Sequence, residues 1–583
     1  MNRGSNYDKQ PTIQISDAAS LCVQGWAAIA ERLRGLAAGG KRIVVAAECY
    51  PGVDTGEAGA GLAGLGASTT IFAENALKSA EELDEIFAPW LGNDPVFGRM
   101  TNWEIGQFFD PVKAAQLRSE IDRSQGLVLV YGTGAAHVAG HWDVLLYCDV
   151  TRWEIQQRQR ANKAGKIGGN NSSSSPAELY KQAYFIDWRA ADAEKHRLHR
   201  RIDFYLDTNQ PRQPLMISGK GYREALAKAV RGPFRVVPFF NPGPWGGEWM
   251  RRHFDLPPEP ANFAWCFDCV PEENSLRFGF GGRVVEAPAL PLVHEHAEEL
   301  LGSEIVKRFG AEFPIRFDFL DTVEGGNLSL QVHPLRAYIA EHFGMPYTQD
   351  ESYYLLDAEP DAVVYLGLKP GIDREQMARD LYAAQAGGSP FPAEKYVNRF
   401  PVKKHDHVSI PAGTIHCSGK NSMVLEISAT PYIFTFKLWD WGRLGLNGLP
   451  RPIHLEHGLA NIQWGRDTEW VKRNLVNPVQ AVGAGDGWRE EATGLHQLEF
   501  LETRRHWFTG PVLHHTSGTL NVLNLVEGEE IVVESPDRAF EPFVVHYAET
   551  FIVPAGVGPY RISPAGRVDK PLATIKAYVR SES

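Results

Sequence analysis

Four residues in the C-terminal half of the chain have the types and spacing of a metal-binding group. Gln331 and His333 stand two positions apart on a predicted strand, so their side chains leave the same face of a sheet. Glu351 opens the next strand pattern, DESYYLLD, and His416 follows a predicted turn, IPAG. Two imidazoles, an amide oxygen and a carboxylate suit Zn²⁺ and give it a net charge of about +1, which can stabilise an oxyanion.

The segment that must position these residues is predicted to be mostly β. From about residue 232 onward, strand patterns alternate with turn signals such as EENS, EGGN, VEGEE and VPAG, which is typical of a jelly roll. HDHVSIPAGTIHCSG at 405–419 resembles YAETFIVPAGVGPYRI at 547–562, which predicts two related barrels. The second has Pro559 where the first has His416, so we expect metal only in the first. Taken singly, each candidate ligand could equally be an ordinary polar strand residue.

The N-terminal part has a different pattern. The β-branched run at Ile43–Val45 enters a Gly-rich loop, and further strand patterns alternate with helical ones, which predicts a parallel sheet. Gly and Pro accumulate in VRGPFRVVPFFNPGPWGG, where helical periodicity stops. We therefore predict an α/β domain over 1–231, a zinc-binding β domain over 232–475 and a C-terminal β domain without metal ligands over 476–583.

Composition limits the classes of partner. The 583 residues carry a formal net charge of −12, which argues against a nucleic-acid-binding or anionic-membrane-binding surface. Six cysteines give no disulfide framework, and the CxxC of Cys266 and Cys269 lies in a strand-like pattern. An apolar run of membrane-spanning length and a secretory leader are both absent from the sequence, so the expected location is cytoplasmic.

Several motifs, in order, give the β region a family resemblance. FPIRFDFLDTVEGGNLSLQVHP, DESYYLLDAEPDAVVYLGLKPG, VKKHDHVSIPAGTIHC and FKLWDWGR resemble successive motifs of the type I mannose-6-phosphate isomerases, which have a cupin fold. The resemblance implies zinc bound by the four residues named above and interconversion of mannose 6-phosphate and fructose 6-phosphate through a cis-enediolate. It also implies that Glu426 is the base that moves the proton, with Lys437 and Arg443 as further catalytic residues.

The departures from that family concern the cations around the metal. Asp318 and Gln349 stand where the family has lysines, and Lys437 stands where it has an arginine. Leu335 and Arg336 replace acidic residues. Lys and Arg are not equivalent contacts for a phosphate. Either Arg336 and Lys437 bind the substrate phosphate in a rebuilt site, or the substrate is a different sugar.

The N-terminal block resembles a P-loop nucleoside-kinase domain, with DVTRWEIQQRQRANK in the place of a basic lid. It lacks the GxxxxGK[ST] signature, and Asp54 and Glu57 follow the first strand without a Lys that could reach a phosphate. The prediction is a degenerate kinase-like domain that serves structure, regulation or ligand sensing, with a nucleotide or anion as the candidate ligand.

The leading functional hypothesis is a zinc-dependent sugar-phosphate isomerase fused to this degenerate domain. A non-catalytic sugar-phosphate sensor, motivated by the lost cations, and an isomerase for another sugar are the alternatives. An iron oxygenase is less consistent with the motif, because a Gln added to two His and a carboxylate leaves fewer positions for O₂. The sequence does not determine the oligomeric state.

Overall fold

The computed structural model describes residues 5–15, 22–35, 42–169, 174–429, 434–494 and 498–580. They form two compact units, an α/β unit of Thr12–Lys228 with Ser275–Glu295 and a β unit of Met1–Pro11, Ala229–Asn274 and His296–Ser583. Among the described residues, the helices are too short or too polar to cross a membrane.

The α/β unit is built on a seven-stranded sheet in which five neighbouring strands, from Phe204–Asp207 to the edge strand Thr69–Phe72, run parallel. Apolar runs such as IVVAAEC at Ile43–Cys49 are buried along most of their length, as parallel strands covered on both faces require. The predicted parallel sheet is therefore confirmed, whereas the kinase-like assignment stays a prediction. Across the sheet the strands are Val23–Gln24, Leu215–Ser218, Phe204–Asp207, Val144–Asp149, Ile43–Cys49, Leu127–Gly132 and Thr69–Phe72.

Helices cover this sheet and connect its strands. The α-helices are Trp26–Arg34, Thr55–Leu62, Ala80–Leu91, Pro111–Arg123, Ala135–Ala139, Arg152–Arg160, Pro176–Gln182, Trp188–Leu198, Gly219–Ala229 and Leu290–Glu295. The shorter elements are 3₁₀ turns at Ala63–Leu65, Ala73–Ala76, Ile105–Phe108 and His199–Arg201, and a π turn at Ala183–Asp187. A small separate sheet comprises Thr12–Ile15, Ser275–Phe280 and Arg283–Pro288.

The first barrel of the β unit consists of two antiparallel sheets. One contains, in spatial order, His407–Ile410, Glu351–Ala358, Ser422–Ser428, Arg316–Asp321, Trp265–Cys269 and Phe239–Asn241. The other contains Val397–Pro401, Val363–Leu368, His416–Ser418, Leu330–Val332 and Phe436–Trp439. Cys266 and Cys269 lie on a strand as predicted, and both are buried free thiols.

The second barrel also consists of two antiparallel sheets, and side chains from both sheets meet in one apolar core that includes Phe508, Leu523, Ile531 and Tyr560. One sheet contains Gln480–Gly485, Trp488–Ala492, Leu501–Phe508, Leu572–Val579, Asn521–Glu527 and Thr550–Val553. The other contains Val512–His515, Pro559–Pro564, Glu530–Glu534 and Phe543–His546. The predicted multidomain, mostly β architecture is thus confirmed.

The helices of the β unit are short and lie between strands. They are Trp249–His253, Ala297–Leu301, Ser303–Phe309, Arg336–Phe343, Arg374–Gln385, Ala393–Tyr396, Leu455–Asn461 and Thr468–Asn474, with a 3₁₀ turn at Ala555–Val557. The compact units differ from the predicted ranges 1–231 and 232–475 in two segments. Met1–Pro11 belongs to the β unit, and Ser275–Glu295 belongs to the α/β unit. The strand Ser275–Phe280 belongs to the α/β unit because it pairs in parallel with Thr12–Ile15, a pairing that local sequence patterns do not disclose.

Candidate metal centre

The predicted metal ligands come from both sheets of the first barrel. Gln331 lies on the strand Leu330–Val332 directly opposite His416, and His333 follows that strand. Glu351 is the first residue of a strand in the facing sheet. The side chains of His333, Glu351 and His416 are fully buried and offer ligand atoms within 4.8 Å of one another. The two sheets therefore bring together residues that are up to 85 positions apart in the chain.

The contacts within the cluster are short. The Nε2 atom of His333 lies 3.0 Å from Oε2 of Glu351, and Nε2 of His416 lies 2.7 Å from Oε1 of the same carboxylate. The side-chain nitrogen of Gln331 lies 3.2 Å from Nε2 of His416. All four predicted ligands thus meet around one point.

The second ring nitrogen of each histidine decides what the first can do. Nδ1 of His333 lies 2.8 Å from the carbonyl oxygen of Phe434, and Nδ1 of His416 lies 2.8 Å from that of Thr414. A carbonyl only accepts hydrogen bonds, so each Nδ1 carries the hydrogen and each neutral ring presents a lone pair at Nε2. Both lone pairs then face the Glu351 carboxylate, which is also an acceptor. Such a group is stable when a cation lies at its centre, and a carbonyl-oriented imidazole is the usual metal-ligand arrangement.

A proton is the alternative to a metal cation. Burial acts to lower the pKa of His333, but the Glu351 carboxylate outweighs it, so the pKa of His333 is raised. An imidazolium at His333 would satisfy one carboxylate oxygen and leave the His416 lone pair directed at the other. A divalent ion satisfies both imidazoles at once, and a rotation of the Gln331 amide would present its oxygen as a further ligand. The residues therefore fit a metal ion bound by N and O donors.

A second buried carboxyl group lies next to the cluster. The Nε2 amide of Gln349 donates to Oε2 of Glu351 at 3.0 Å and to Oε1 of Glu426 at 3.3 Å, so it bridges the two carboxyl groups. Burial raises the pKa of Glu426 well above its usual value, and the charges of Glu351 and Asp318 add to this. Glu426 is therefore a buried carboxyl group of raised pKa next to the candidate metal ligands, as proton-transferring groups often are.

Arg316 is a functional candidate that the sequence reasoning missed. It donates to both carboxylate oxygens of Asp318, at 3.0 and 2.6 Å, and Asp318 lies directly opposite Glu426 in the sheet. Burial acts to lower the pKa of Arg316, but Asp318, Glu426 and Glu351 outweigh it, so the guanidinium stays charged. Asp318 stands where the family has a lysine. Arg316, two residues earlier on the same face of the strand, places a cation there instead. The signal in the sequence was the alternation in PIRFD.

Comparisons with known proteins find relatives of this chain. The chain is 29% identical over 224 residues to the mannose-6-phosphate isomerase of Streptococcus mutans, which covers 38% of this chain and 65% of that protein. It is 24% identical over 237 residues to the mannose-6-phosphate isomerase ManA of Bacillus subtilis, which covers 40% of this chain and 68% of that protein. Its curated relatives are mannose-6-phosphate isomerases. The predicted resemblance is therefore confirmed, and the chain spans just under two thirds of the Streptococcus relative.

A solved structure and a family model also match parts of this chain. The crystal structure of the mannose 6-phosphate isomerase from Bacillus subtilis aligns with 60% of this chain and 100% of its own, at 17% identity and a TM-score of 0.48. Residues 25–231, which make up most of the α/β unit, match a family model described as a domain of unknown function, DUF8485.

The other residues predicted to contact substrate lie in different surroundings. Lys437 is half-buried and lies directly opposite Gln331, so both side chains leave the same face of the sheet. Arg443 donates from Nε and Nη2 to Oδ1 of Asp440, at 3.0 and 2.6 Å, within a paired ionic group that also contains Arg451. The placement of Lys437 brings it to the metal side of the sheet, and the catalytic role of Arg443 stays a prediction.

Arg336 lies at the first residue of the helix Arg336–Phe343 and is exposed. Its Nε donates to the carbonyl oxygen of Pro346 at 3.2 Å, and its side chain lines a cavity together with Arg308 and Arg466. Its predicted contact with the substrate stays a prediction.

In the α/β unit, the protein's own groups occupy the places where a phosphate was expected. The Asp54 carboxylate accepts from the Glu57 amide at 2.9 Å and so caps the helix that follows the first parallel strand. Arg158 of the lid-like segment donates to Glu154 at 2.9 Å and to the carbonyl oxygens of Gly52 and Thr208 at 2.9 and 2.7 Å. The predicted nucleotide or anion in this unit stays a prediction.

Proposed function

We propose that the protein is a zinc-dependent aldose–ketose isomerase that interconverts mannose 6-phosphate and fructose 6-phosphate through a cis-enediolate. The observation that carries the proposal is the meeting of two imidazole lone pairs with the Glu351 carboxylate, next to the buried carboxyl of Glu426. The curated relatives named as mannose-6-phosphate isomerases support the choice of substrate class.

Gln331, His333, Glu351 and His416 would hold the metal in this proposal. A divalent ion bound there supplies positive charge that polarises or orients the sugar oxygens. The donor set contains nitrogen and oxygen atoms without thiolate, which is compatible with Zn²⁺.

Glu426 is the residue to which we assign proton transfer between C1 and C2 of the sugar. A general base works best when its pKa is near the operating pH, and burial moves the pKa of Glu426 in that direction. Gln349 fixes the position of this carboxyl because one amide nitrogen donates to Glu426 and to Glu351. Arg316, whose charge acts on Glu426 and Glu351, limits the repulsion between the two carboxylates.

Lys437 is the proposed contact for an anionic group of the substrate. It lies on the same sheet face as Gln331 and carries an ammonium group, where the family has a guanidinium. This exchange leaves room for a different sugar phosphate as the natural substrate.

One observation favours a sensor that binds sugar phosphate without turnover. Arg316, the buried cation whose charge acts on Glu426, is held by two hydrogen bonds to Asp318, and the neutral Gln349 stands where the family has a lysine. Fewer mobile cations next to the metal would weaken stabilisation of an enediolate more than binding of the ground state.

The test uses the zinc-loaded full chain, mannose 6-phosphate and a measurement of fructose 6-phosphate formed. We expect turnover, and we expect Glu426→Gln to lower kcat at least about 100-fold because it removes the proton-transferring group. Zinc content should not change in that variant. Glu375→Gln, on an exposed helix of the same unit, is the matched control and should keep full activity.

Each other outcome of this experiment has a defined meaning. Turnover that Glu426→Gln leaves intact would remove this residue from the mechanism. If calorimetry shows tight binding of mannose 6-phosphate but no fructose 6-phosphate forms, the sensor hypothesis would replace the isomerase hypothesis. Faster turnover of another aldose phosphate would change the substrate but keep the reaction.

A further inference from the structure

A cavity of about 390 Å³ in the β unit is lined by three arginines. Arg466 is 8% exposed, whereas Arg308 and Arg336 are exposed. The buried side chains of Tyr347 and Thr348 complete its inner wall. This arrangement, a buried cation with further cations nearer the solvent, is that of a pocket for a small anion.

The acidic residues in the cavity are already bonded to the protein. Asp350 accepts from the Ala412 amide at 2.7 Å, and Glu499 accepts from the Ser409 hydroxyl at 2.7 Å. The Nη1 hydrogen bonds of Arg466 go to neutral oxygens, namely the carbonyl groups of Pro411 and Ala412 at 2.7 and 2.8 Å and the Thr414 hydroxyl. Burial lowers the pKa of Arg466 to about 10, and Asp350 and Glu499 offset only part of this effect.

The cavity and the metal cluster lie on opposite sides of the chain segment from Gln349 to Glu351. Gln349 and Glu351 share a side because they are hydrogen-bonded to each other, so the residue between them, Asp350, projects to the other side. Asp350 lines the cavity, and Glu351 belongs to the metal cluster. A ligand in the cavity is therefore separate from a substrate bound at the metal.

A chain of hydrogen bonds nevertheless connects the two sites. Arg466 donates to the Thr414 hydroxyl, and the Thr414 carbonyl accepts from Nδ1 of His416. The same three chain segments carry a metal ligand and line the cavity: His333 precedes Leu335 and Arg336, Glu351 follows Asp350, and His416 follows Pro411 and Ala412.

We propose that this cavity is an anion-binding site, distinct from the metal centre, that takes a phosphate or carboxylate group of a small molecule between Arg308, Arg336 and Arg466. Guanidinium groups bind such anions through paired charge-assisted hydrogen bonds, and the ring of Tyr347 offers a wall for the rest of the ligand. The proposal does not depend on the isomerase activity, because it needs no turnover and because Arg308 and Arg466 have no part in the proposed reaction.

The test is calorimetric titration of the full chain with inorganic phosphate. We expect saturable binding at one site, weakened about tenfold or more by Arg336→Gln and by Arg308→Gln, since each removes a charge-assisted contact. Both variants change exposed side chains, so the fold should persist. Arg379→Gln, an exposed arginine on another helix of the same unit, is the matched control and should bind like the original chain.

The variant Lys437→Gln distinguishes phosphate bound in the cavity from phosphate bound next to the metal centre. Phosphate affinity that falls in Lys437→Gln and is kept in both arginine variants places the anion at the metal side of the sheet and overturns the proposal. The absence of saturable binding overturns it as well. Affinity kept in Lys437→Gln and lost in the arginine variants supports it, whether or not the chain isomerises mannose 6-phosphate.

Discussion

The α/β unit and the first barrel each bury a group of ionisable side chains, but the two groups are paired differently. At the end of a parallel strand, Asp149 is in contact with Lys195, and Arg152 donates to Asp192 at 2.7 Å. Each of these opposite charges has a protein partner. In the metal centre, the Glu351 carboxylate faces two ring nitrogens whose hydrogens are directed elsewhere.

The difference shows what marks a ligand site. Buried charge by itself is common to both regions. Of these two groups of described residues, the one in the metal centre has acceptors that face acceptors, so that a cation from outside lowers its free energy. In the α/β unit, the Asp54 carboxylate already occupies the helix end where an anion could bind. The arrangement in the metal centre therefore calls for a ligand, whereas the charges named in the α/β unit are paired within the protein.

The largest expected effect is the loss of metal from Glu351→Ala. Removing the carboxylate that both imidazoles contact should lower metal affinity at least about a hundredfold and should lower the Tm of the metal-loaded protein, because bound metal stabilises only the folded state. Elemental analysis and calorimetry measure the two quantities. His416→Ala should behave alike, and Glu375→Ala, which is exposed, should retain the metal. Unchanged metal content in Glu351→Ala or His416→Ala removes that residue from the ligand set.

A substitution in the Asp149–Lys195 ion pair of the α/β unit should change the stability of the protein and leave its metal content unchanged. Asp149→Asn leaves Lys195 buried beside a neutral group and should reduce the free energy of unfolding by about 3 to 5 kcal/mol. The double variant Asp149→Asn with Lys195→Met should recover part of this loss, and metal content should stay constant. Denaturant titration measures the effect, with the exposed Glu224→Gln as control. An unchanged free energy of unfolding in Asp149→Asn would show that the ion pair does not stabilise this region.

A pH effect of intermediate size is expected at Asp187. Burial raises its pKa to about 7, and its Oδ1 has no hydrogen-bond partner among the described residues. Because the folded pKa lies above the unfolded value, the folded state binds more protons, so stability is greatest below about pH 4 and falls as the pH rises to about 7. Asp187→Asn should remove this fall.

The measurement is the free energy of unfolding between pH 4 and pH 8. Asp187→Asn should be more stable than the original chain at pH 8, by about 1.4 kcal/mol for each unit by which the pKa is raised, and should differ little at pH 4. Asp84→Asn, an exposed change in the same unit, should keep the original pH profile. A parallel offset at every pH would show that the effect is not the titration of Asp187.

The smallest expected effect concerns the cap at Asp54. Asp54→Ala removes the acceptor for the Glu57 amide and should cost about 1 kcal/mol of stability. Ser79→Ala, the same kind of cap loss on the helix Ala80–Leu91, should cost a similar amount. Calorimetry of both variants with ATP should show no new binding, and saturable binding in Asp54→Ala alone would show that the carboxylate had been occupying a phosphate site.

The sequence predicted that the candidate metal ligands lie together better than it predicted their surroundings. Gln331 and His333 could be placed on one face from strand alternation, and the ordered motifs added Glu351 and His416. The bridge from Gln349 to Glu426 depends on side chains 77 positions apart and was not predictable from either segment. Lys437 was expected near an anionic group, and the strand register brings it opposite Gln331. Arg336 was expected beside it, but its helix places it in a cavity with Arg466.

The sequence by itself determined the alternation of buried and polar residues, and hence a parallel sheet followed by antiparallel ones and the types of donor available to a metal. The tertiary structure decided which ring nitrogen of His333 keeps the hydrogen, because the carbonyl of Phe434 that faces its Nδ1 lies 101 positions along the chain. It also decided that Arg316 is tied to Asp318 next to Glu426. Periodicity is a local property, whereas hydrogen-bond pairing and desolvation depend on groups that only folding brings together.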